Sequence, residues 1–204
     1  MIVDMAVEMS GPESGPVAIL LHGFPDDARA WDGVAPALAA QGFRVLVPYL
    51  RGYGPTRFID AATPRSGEQA ALGADLLALM DAKGLTLATA ESCTGGLIAA
   101  AVTAIAGSSS VVMAGFVTYA NDAKHKMVGV RQESLTQHGA VSAEVAQEMA
   151  EGARMRAGVS LALSCTGIAG PGGATPGKPV GLVFIGCARE GAATLVERHV
   201  FPGD

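Results

Sequence analysis

The stretch LATAESCTGG, residues 87–96, decides how this chain folds. Its first half is a short apolar run, typical of a strand that is buried on both faces of a parallel sheet. A tight turn with two glycines follows, and a helix is predicted from about Thr94 to Ala106. Such a junction places free backbone N–H groups and the positive end of a helix at the carboxyl end of a strand, where α/β proteins bind ligands.

Alternating strands and helices surround this stretch. A helix is predicted over residues 66–82, with Ser66 as its N-cap, because leucines recur at helical spacing from Leu72 to Leu79. The alternation indicates an α/β fold, and we expect a three-layer α/β/α sandwich. Downstream, strands are predicted over 111–119, 161–164, 180–187 and 194–201, and helices over 123–128 and 142–157.

The N-terminal third differs in composition from the rest, because prolines and aromatic residues punctuate short segments there. A strand over 17–21, a helix over about 26–40 and a strand over 43–48 predict one parallel βαβ unit. We therefore expect two domains, a partial βαβ unit over residues 1–65 and a sandwich over residues 66–204.

Composition and charge exclude several classes of protein. Half of the 204 residues are hydrophobic and 16% are charged, which excludes intrinsic disorder. Fourteen Lys and Arg against nineteen Asp and Glu give a net charge of −5, so no nucleic-acid partner is expected. Three widely spaced cysteines without a CxxC pair argue against a disulfide framework and a structural zinc site. We expect a cytoplasmic protein that needs no metal and no cofactor.

A long uncharged stretch between Glu91 and Asp122 raises the question of a membrane span. Glycines and serines interrupt it, above all GSSS at residues 107–110, whereas a spanning helix needs about 20 unbroken apolar residues. The stretch therefore predicts a buried helix, a turn and a buried strand, and no membrane partner is expected.

Two side chains in the turn after the strand could act as a nucleophile. Ser92 and Cys93 stand directly before the helix, whose N-terminus favours a developing negative charge. The alternative is that Ser92 and Thr94 only cap the helix. The spacing does not decide between these interpretations.

The stretch YANDAKHK, residues 119–126, follows the next predicted strand and offers the bases that a serine nucleophile requires. A lysine can serve if burial lowers its pKa from about 10.4 towards neutrality. Alternatively, Lys124 and Lys126 belong to a solvated helix face. The candidate bases are Lys124, His125, Lys126 and, further along, His138.

A glycine-rich loop, TGIAGPGG at residues 166–173, follows a third strand. Bare backbone N–H groups in such a loop can approach a phosphate closely. The spacing is not that of a Walker-type P-loop, so an NTPase of that class is not indicated.

Seven motifs occur along the chain: LTLATAESCTGG (85–96), AGSSS (106–110), GFVTYANDAK (115–124), HGAVS (138–142), TGIAGPGG (166–173), KPVGLV (178–183) and FPGD (201–204). Through them, residues 69–204 resemble the C-terminal domain of the CinA (competence/damage-inducible) family. The resemblance implies hydrolysis of nicotinamide mononucleotide (NMN) to nicotinic acid mononucleotide and ammonia, within pyridine-nucleotide salvage. It also implies a homodimer.

The resemblance further implies roles for individual residues. Ser92 matches the family's nucleophile and Lys124 its partner base, while Tyr119 and Ser109 match supporting hydroxyls. Cys93 stays the chemical rival of Ser92, because a helix start can lower the pKa of a thiol. Backbone N–H groups over 94–96 would hold the oxyanion, and the glycine-rich loop would face the phosphate or ribose. The substrate-binding residues expected from these motifs are Glu91, Thr94, Gly95, Gly96, Asn121, Thr166, Gly167 and Gly170.

The end of the chain departs from the family pattern. In the family an Arg that helps to bind the nucleotide follows FPGD, and a helix follows the Arg, whereas this sequence stops at Asp204. We expect weaker phosphate binding and impaired activity as a result, because a bidentate charged contact is missing.

The beginning of the chain resembles another family. ILLHGFPDDARAWDGVAPAL (19–38) and FRVLVPYLRGYGPT (43–56) are similar to the start of an α/β-hydrolase of the epoxide hydrolase kind, with HGFP (22–25) as its oxyanion-hole loop. The nucleophile elbow of that family should follow the helix over 66–82, but ESCTGG stands there instead. The chain therefore resembles a fusion at that helix, and we expect its N-terminal portion to be catalytically inactive.

Two other functions stay open at this point. The first is a hybrid esterase or epoxide hydrolase that uses Ser92 together with the loop of His22. Against it, Thr94 stands where the tight elbow turn requires glycine. The second is a non-catalytic nucleotide-binding module, which the missing C-terminal Arg favours.

Overall fold

The computed structural model describes residues 3–23, 26–60 and 69–202. They belong to two compact units, Met1–Lys83 and Gly84–Asp204. The predicted N-cap Ser66, half of the HGFP loop and the last two residues of FPGD lie outside the described residues. The domain boundary expected at residue 65/66 stays a prediction. The two compact units meet later in the chain, at Lys83/Gly84, directly after the helix Gln69–Ala82.

The described part of the first unit contains two small sheets and two helices. In chain order its elements are β1 (Val3–Asp4), β2 (Val7–Ser10), β3 (Val17–Ile19), α1 (Ala35–Ala40), β4 (Arg44–Pro48), β5 (Arg57–Phe58) and α2 (Gln69–Ala82). Strand β4 lies between β3 and β2, parallel to β3 and antiparallel to β2, and β1 pairs with β5. The parallel pair confirms the strand pairing of the predicted βαβ unit.

The helix predicted over 26–40 is interrupted. Asp27 caps a 3-10 turn over Ala28–Trp31 by accepting a hydrogen bond from a backbone N–H at 2.8 Å, and α1 then begins anew. Pro36 explains the interruption, because proline has no N–H group and is tolerated only in the first turn of a helix.

Buried polar side chains stabilise this first unit. Arg51 and Asp75 form a buried ion pair, with Nε 2.7 Å from Oδ2 and Nη2 2.8 Å from Oδ1, which joins the segment after β4 to α2. His22 is buried, and its Nε2 accepts a hydrogen bond from the Leu50 N–H at 3.1 Å. His22 therefore holds the chain at the exit of β4.

The second unit is built on one five-stranded sheet. In chain order its elements are β6 (Leu87–Glu91), α3 (Leu97–Thr103), β7 (Val112–Val117), α4 (Asn121–Val128), α5 (Gln132–His138), α6 (Ala143–Ala157), β8 (Leu161–Gly167), β9 (Leu182–Arg189) and β10 (Leu195–Val200). The strand order is β10-β9-β8-β6-β7. Strands β7, β6 and β8 run parallel, whereas β9 and β10 continue the sheet as antiparallel neighbours.

Helices cover both faces of this sheet at β6. Ala88 and Ala90 belong to a buried cluster with Met149 and Ala153 of α6. Glu91, which alternates with them, reaches the N-terminus of α3 on the other face. The chain therefore has the expected α/β fold, with a helical layer on each side of the sheet. The other buried members of the cluster are Val128, Val130, Leu135, Val145, Val159 and Ala162.

Strand β6 is where the chain changes direction across the sheet. From β6 the chain passes through α3 to β7 on one side, and then through α4, α5 and α6 to β8 on the other side. Ligands of α/β proteins bind at such a switch point, outside the carboxyl ends of the strands. The turn that carries Ser92 lies at this point.

The uncharged stretch after Glu91 forms α3, a 3-10 turn over Ser108–Ser110 and β7, in the predicted order. The predicted burial was wrong, because no residue of α3 is buried and half-buried residues alternate with exposed ones along β7. Gly107, with a φ of 84°, starts that turn in a conformation that favours glycine. No helix within the described ranges has the length and apolar character needed to span a lipid bilayer.

Helix α6 approaches the end of α4 closely at Gly152. A Cβ added to this glycine would lie 1.6 Å from the Val128 carbonyl oxygen, a backbone atom that cannot move aside unless α4 shifts. Alanine is the better helix former by about 0.5–1 kcal/mol. Packing and helix propensity therefore oppose each other at this position.

We expect Gly152→Ala to destabilise the second unit by about 1–3 kcal/mol, because overpacking outweighs the gain in helix propensity. Urea unfolding followed by circular dichroism measures the change. Gly172→Ala is the matched control, since a Cβ there meets no atom within 4 Å. It should change the stability by less than about 0.5 kcal/mol. A Gly152→Ala protein as stable as the parent would contradict the packing described here.

Candidate active site

Ser92 is held at the end of β6 by its own backbone. Its N–H donates to the Cys165 carbonyl at 2.9 Å, which continues the pairing of β6 with β8 by one residue. Its carbonyl accepts a hydrogen bond from the Gly95 N–H at 3.1 Å, which closes the turn. Gly95 and Gly96 have φ values of 59° and 105°, which favour glycine, so the turn explains the two glycines of the motif.

The Lys124 side chain reaches Ser92 from the exit of the neighbouring strand. Lys124 lies in the first turn of α4, soon after β7, and is 1% exposed. Its Nζ lies 2.9 Å from Ser92 Oγ, 2.9 Å from the Thr118 carbonyl oxygen and 3.1 Å from the Tyr119 carbonyl oxygen. The two side chains expected as nucleophile and base therefore meet in one site.

Two other candidate bases have different surroundings. Lys126 is exposed and forms an ion pair with Asp122 at 2.7 Å. His125 Nδ1 lies 2.8 Å from the Val130 carbonyl oxygen. The solvated helix face considered as an alternative therefore describes Lys126 and not Lys124.

Burial governs the protonation of Lys124. Removal from water lowers the pKa of its amine, and the negative charge of the Cys93 thiolate opposes this only in part. An ammonium group donates three hydrogen bonds, and the site offers three acceptors. A neutral amine would donate two hydrogen bonds to the carbonyl groups and accept the third from the Ser92 hydroxyl. The same arrangement serves both states, so a proton can pass between Oγ and Nζ without rearrangement.

Thr118 positions the carbonyl groups around Lys124. Its N–H donates to the Glu91 carbonyl at 2.7 Å, and its Oγ1 donates to the same oxygen at 3.3 Å. The side chain is fully buried. Sequence reasoning missed Thr118 because it contacts Lys124 through its backbone carbonyl. Every residue type has this group, and a sequence does not indicate which carbonyl groups surround an amine.

Glu91, expected to bind substrate, caps a helix instead. Its buried carboxylate accepts hydrogen bonds from the N–H groups of Gly96 at 3.2 Å, Ile98 at 2.9 Å and Ala99 at 2.7 Å. Burial alone would raise the pKa of this carboxyl, but the nearby Thr94 hydroxyl and the three N–H groups together lower it. Glu91 is therefore an anionic cap of α3, and its oxygens are occupied.

The N–H groups that the turn leaves for an oxyanion overlap only in part with those expected over 94–96. The Gly95 N–H is bonded to the Ser92 carbonyl, and the Gly96 N–H is bonded to the capping carboxylate. Among the residues that the structure describes, no oxygen accepts from the N–H groups of Cys93 and Thr94. Both groups interact with the Cys93 thiol and lower its pKa, so a substrate oxygen would share them with this sulfur, and the glycines shape the turn.

Cys93 lies beside Ser92 with its thiol turned towards β8. Its Sγ lies 3.7 Å from Cys165 Sγ. The Cys165 thiol, the N–H groups of Cys93 and Thr94 and the charge of Lys124 lower the pKa of Cys93 to about 7, against the effect of burial. The hydrogen bond to Cys93 and burial raise the pKa of Cys165. Cys93 is the more acidic thiol and stays a chemical rival of Ser92.

The side chains of three further expected residues lie at different places on the sheet edges. Tyr119 is 72% exposed, and it offers Lys124 its carbonyl group rather than its hydroxyl. Ser109 is exposed at the amino end of β7, and the six residues of that strand, about 20 Å, separate it from the edge that carries Ser92. Asn121 is exposed at the start of α4, on the same edge as Ser92.

The glycine-rich loop begins at the carboxyl end of β8, beside β6. Thr166 is fully buried and its hydroxyl donates to the Ala140 carbonyl at 2.8 Å, so this side chain has a structural role rather than the expected contact with substrate. A Cβ on Gly167 would lie 2.7 Å from the Leu182 carbonyl oxygen, which explains the glycine, and 3.1 Å from Cys93 Sγ. Gly170 and the residues up to 173 are exposed.

Residues 69–204 of this chain match the family model described as the CinA C-terminal domain. A CinA-like protein of Citrifermentans bemidjiense is 57% identical over 129 residues, which are 63% of this chain and 31% of that protein. The nicotinamide-nucleotide amidohydrolase PncC of Enterobacter agglomerans is 49% identical over 133 residues, which are 65% of this chain and 81% of that protein. The chain thus spans about a third of the length of the CinA-like relative.

Solved structures are similar as well. The crystal structure of a competence/damage-inducible protein from Agrobacterium tumefaciens has a TM-score of 0.65 and 46% identity, covering 69% of this chain and 87% of that chain. A CinA superfamily protein from Escherichia coli has a TM-score of 0.62 and 39% identity, covering 65% of this chain and 76% of that chain. Both similarities support the α/β fold described above.

Glu91→Gln tests the capping of α3. We expect the variant to lose about 1.5–3 kcal/mol of stability at neutral pH, because a neutral amide forms weaker hydrogen bonds with the three N–H groups. The folded-state pKa of Glu91 is lowered. The stability that the carboxylate contributes is therefore present above the unfolded pKa of about 4.3 and is lost as the pH falls through the folded value. The difference between parent and variant should shrink in acid.

Urea unfolding near neutral pH and near about pH 3 measures both effects. Glu133→Gln is the matched control, because Glu133 is an exposed acid in the first turn of α5. It should change the stability by less than about 0.5 kcal/mol. Equal stability of the parent and Glu91→Gln at neutral pH would contradict the capping role.

Proposed function

The chain belongs to the CinA C-terminal domain family through residues 69–204, and on this premise we propose that it is an amidohydrolase acting on the carboxamide of NMN. The products are nicotinic acid mononucleotide and ammonia. One observation carries the proposal: the buried Lys124 Nζ lies 2.9 Å from Ser92 Oγ at the carboxyl end of β6. The similarity to the nicotinamide-nucleotide amidohydrolase PncC supports the choice of substrate.

The reaction begins with the attack of Ser92 Oγ on the carboxamide carbon. Neutral Lys124 accepts the hydroxyl proton, and the amide oxygen becomes an oxyanion that accepts hydrogen bonds from the N–H groups of Cys93 and Thr94. The C–N bond then breaks as Lys124 donates the proton to the departing nitrogen, which leaves as ammonia. An acyl ester on Ser92 remains.

A water molecule completes the reaction. Neutral Lys124 takes a proton from this water as the water oxygen attacks the acyl carbon, and it returns the proton to Ser92 Oγ as the ester bond breaks. In both halves the carbonyl groups of Thr118 and Tyr119 accept hydrogen bonds from the transient ammonium group. They orient the amine towards Ser92 and stabilise its charged form.

Ser92 is the proposed nucleophile in preference to Cys93. A base must lie within hydrogen-bond reach of the proton that it removes. Lys124 Nζ meets this condition for Ser92 Oγ, whereas the Cys93 thiol lies against Cys165 at 3.7 Å. The geometry therefore supports serine chemistry, in agreement with the family resemblance.

The nucleotide part of the substrate is proposed to bind over the loop 166–173. This loop leaves β8 next to the strand of Ser92, and its exposed glycines allow backbone N–H groups to approach a phosphate. Tyr119 and Asn121, exposed on the same edge, are proposed to contact the nicotinamide or the ribose. The homodimer, the cytoplasmic location and the role of Ser109 stay predictions.

Loss of either member of the pair should remove turnover of NMN. We expect Ser92→Ala to lower ammonia release by more than about 10⁴-fold, and Lys124→Met by about 10²–10⁴-fold. Lys126→Met is the matched control, because Lys126 lies in the same helix but is exposed, and it should keep the parent activity. Ammonia and nicotinic acid mononucleotide are quantified by chromatography and a coupled assay.

Two outcomes would count against this proposal. Retained activity in Ser92→Ala, together with loss of activity in Cys93→Ala, would transfer the role of nucleophile to Cys93. Absence of ammonia from the parent chain at high NMN concentration would contradict the proposed substrate itself.

The rate should rise with pH, because Lys124 acts as a base only when it is neutral. Burial lowers its pKa, so kcat/KM for NMN should reach a plateau below the value of about 10.4 of a lysine in water. Cys93→Ser should retain the rising profile, which separates Lys124 from the thiol whose pKa is about 7. A rate that falls with rising pH over the same range would be incompatible with a neutral lysine base.

A further inference from the structure

We propose that Cys93 and Cys165 form an oxidisable pair, a modification site at which a peroxide converts the two thiols into a disulfide beside Ser92. Their sulfur atoms lie 3.7 Å apart, in van der Waals contact. All three cysteines of the chain are free thiols in the structure, and Cys187 is the third. Nothing in the proposed hydrolysis of NMN uses the Cys165 thiol.

The backbone brings the two cysteines together. The Ser92 N–H donates to the Cys165 carbonyl at 2.9 Å, so residue 93 leaves the sheet directly beside β8. Gly167 follows Cys165 by two residues and lies on the same face of β8. The Cys93 sulfur lies 3.1 Å from the position that a Cβ on Gly167 would take. The thiol of Cys93 therefore rests on β8, beside Cys165 and over the glycine.

Closure of this pair requires a small movement. An S–S bond is about 2.05 Å long, so the sulfur atoms must approach each other by roughly 1.7 Å. Cys93 lies in the turn and not in the strand. Rotation of its side chain with a small shift of the turn can therefore supply the movement while β8 stays in place.

The two thiols differ in the way that an oxidation site requires. Cys93 is partly exposed and has a pKa of about 7, so much of it is thiolate at neutral pH. Cys165 is buried. Oxidation-sensitive sites combine an accessible acidic cysteine with a neighbouring thiol that resolves the first product. We therefore assign the reaction with the oxidant to Cys93, and the displacement of the oxidised product to the Cys165 thiol.

The chemistry proceeds in two steps. The Cys93 thiolate attacks one oxygen of hydrogen peroxide, the O–O bond breaks, and the departing hydroxide takes up a proton to form water. The product is a sulfenic acid on Cys93. The Cys165 sulfur then attacks the Cys93 sulfur, the S–O bond breaks, and hydroxide leaves with the Cys165 proton as a second water. Two thiols have lost two electrons in total, and one peroxide has been reduced to two waters.

The disulfide would affect the active site through the backbone of Cys93. Its N–H is one of the two groups proposed to bind the oxyanion, and we expect the shift of the turn that closes the S–S bond to misplace this group. This consequence rests on the proposed function, whereas formation of the disulfide does not. Oxidation should therefore switch off turnover of NMN reversibly.

Mass spectrometry of the full chain treated with a small excess of hydrogen peroxide tests the pair. We expect a mass loss of about 2 Da, a cross-linked peptide that contains Cys93 and Cys165, and recovery of both thiols on reduction with dithiothreitol. Cys165→Ser should give no cross-link and should leave a sulfenic acid on Cys93 that dimedone traps. Cys187→Ser is the matched control and should form the cross-link as the parent does.

Ammonia release from NMN provides a second readout. In the parent and in Cys187→Ser it should fall by about 100-fold on oxidation, as expected for a lost oxyanion donor, and return on reduction. A cross-link without any activity in the reduced protein would refute the proposed function and leave the modification site intact. Addition of oxygen to Cys93 without the loss of about 2 Da, or a cross-link to Cys187, would overturn the pair itself.

Discussion

A buried amine determines how the candidate site is built. Lys124 is removed from water, and an amine without partners in such surroundings costs several kcal/mol, by an order-of-magnitude argument. The junction between β7 and α4 offsets this cost, because the chain bends there and turns the carbonyl groups of Thr118 and Tyr119 towards Nζ. Ser92 supplies the third partner. The contact between Ser92 and Lys124 is therefore also one of the three hydrogen bonds that offset the free-energy cost of burying the amine.

Different contacts on the two faces of β6 hold Ser92 in position to contact Lys124. On one face small side chains, Ala88 and Ala90, let α6 pack closely against the sheet. On the other face Glu91 binds three N–H groups of α3 and fixes where this helix begins. Ser92 follows at the point where both sets of contacts end, and its backbone is bonded to β8 and to its own turn. Its hydroxyl is consequently held by the whole sheet edge.

The fold could be predicted largely because periodicity, glycines and caps are local properties of a sequence. The junction at residues 87–96, the helix predicted over 142–157 and the parallel pairing of β3 with β4 all followed from such signals. The roles of Glu91 and Thr166 did not follow. The sequence of a motif is the same whether its carboxylate or hydroxyl contacts a ligand or, as here, a backbone group. The break before Pro36 and the contact of Cys93 with Cys165 likewise depend on packing.

Ser92 and Lys124 lie on one continuous segment that runs from β6 through α3 and β7 into α4. Both carbonyl groups that orient the amine belong to it too. Outside this segment, the Ser92 N–H donates a hydrogen bond to the Cys165 carbonyl, a group that any amino acid provides. A gene rearrangement that moves the reactive pair into another protein must therefore carry α6 and β8 with this segment, because they pack against β6 and pair with it.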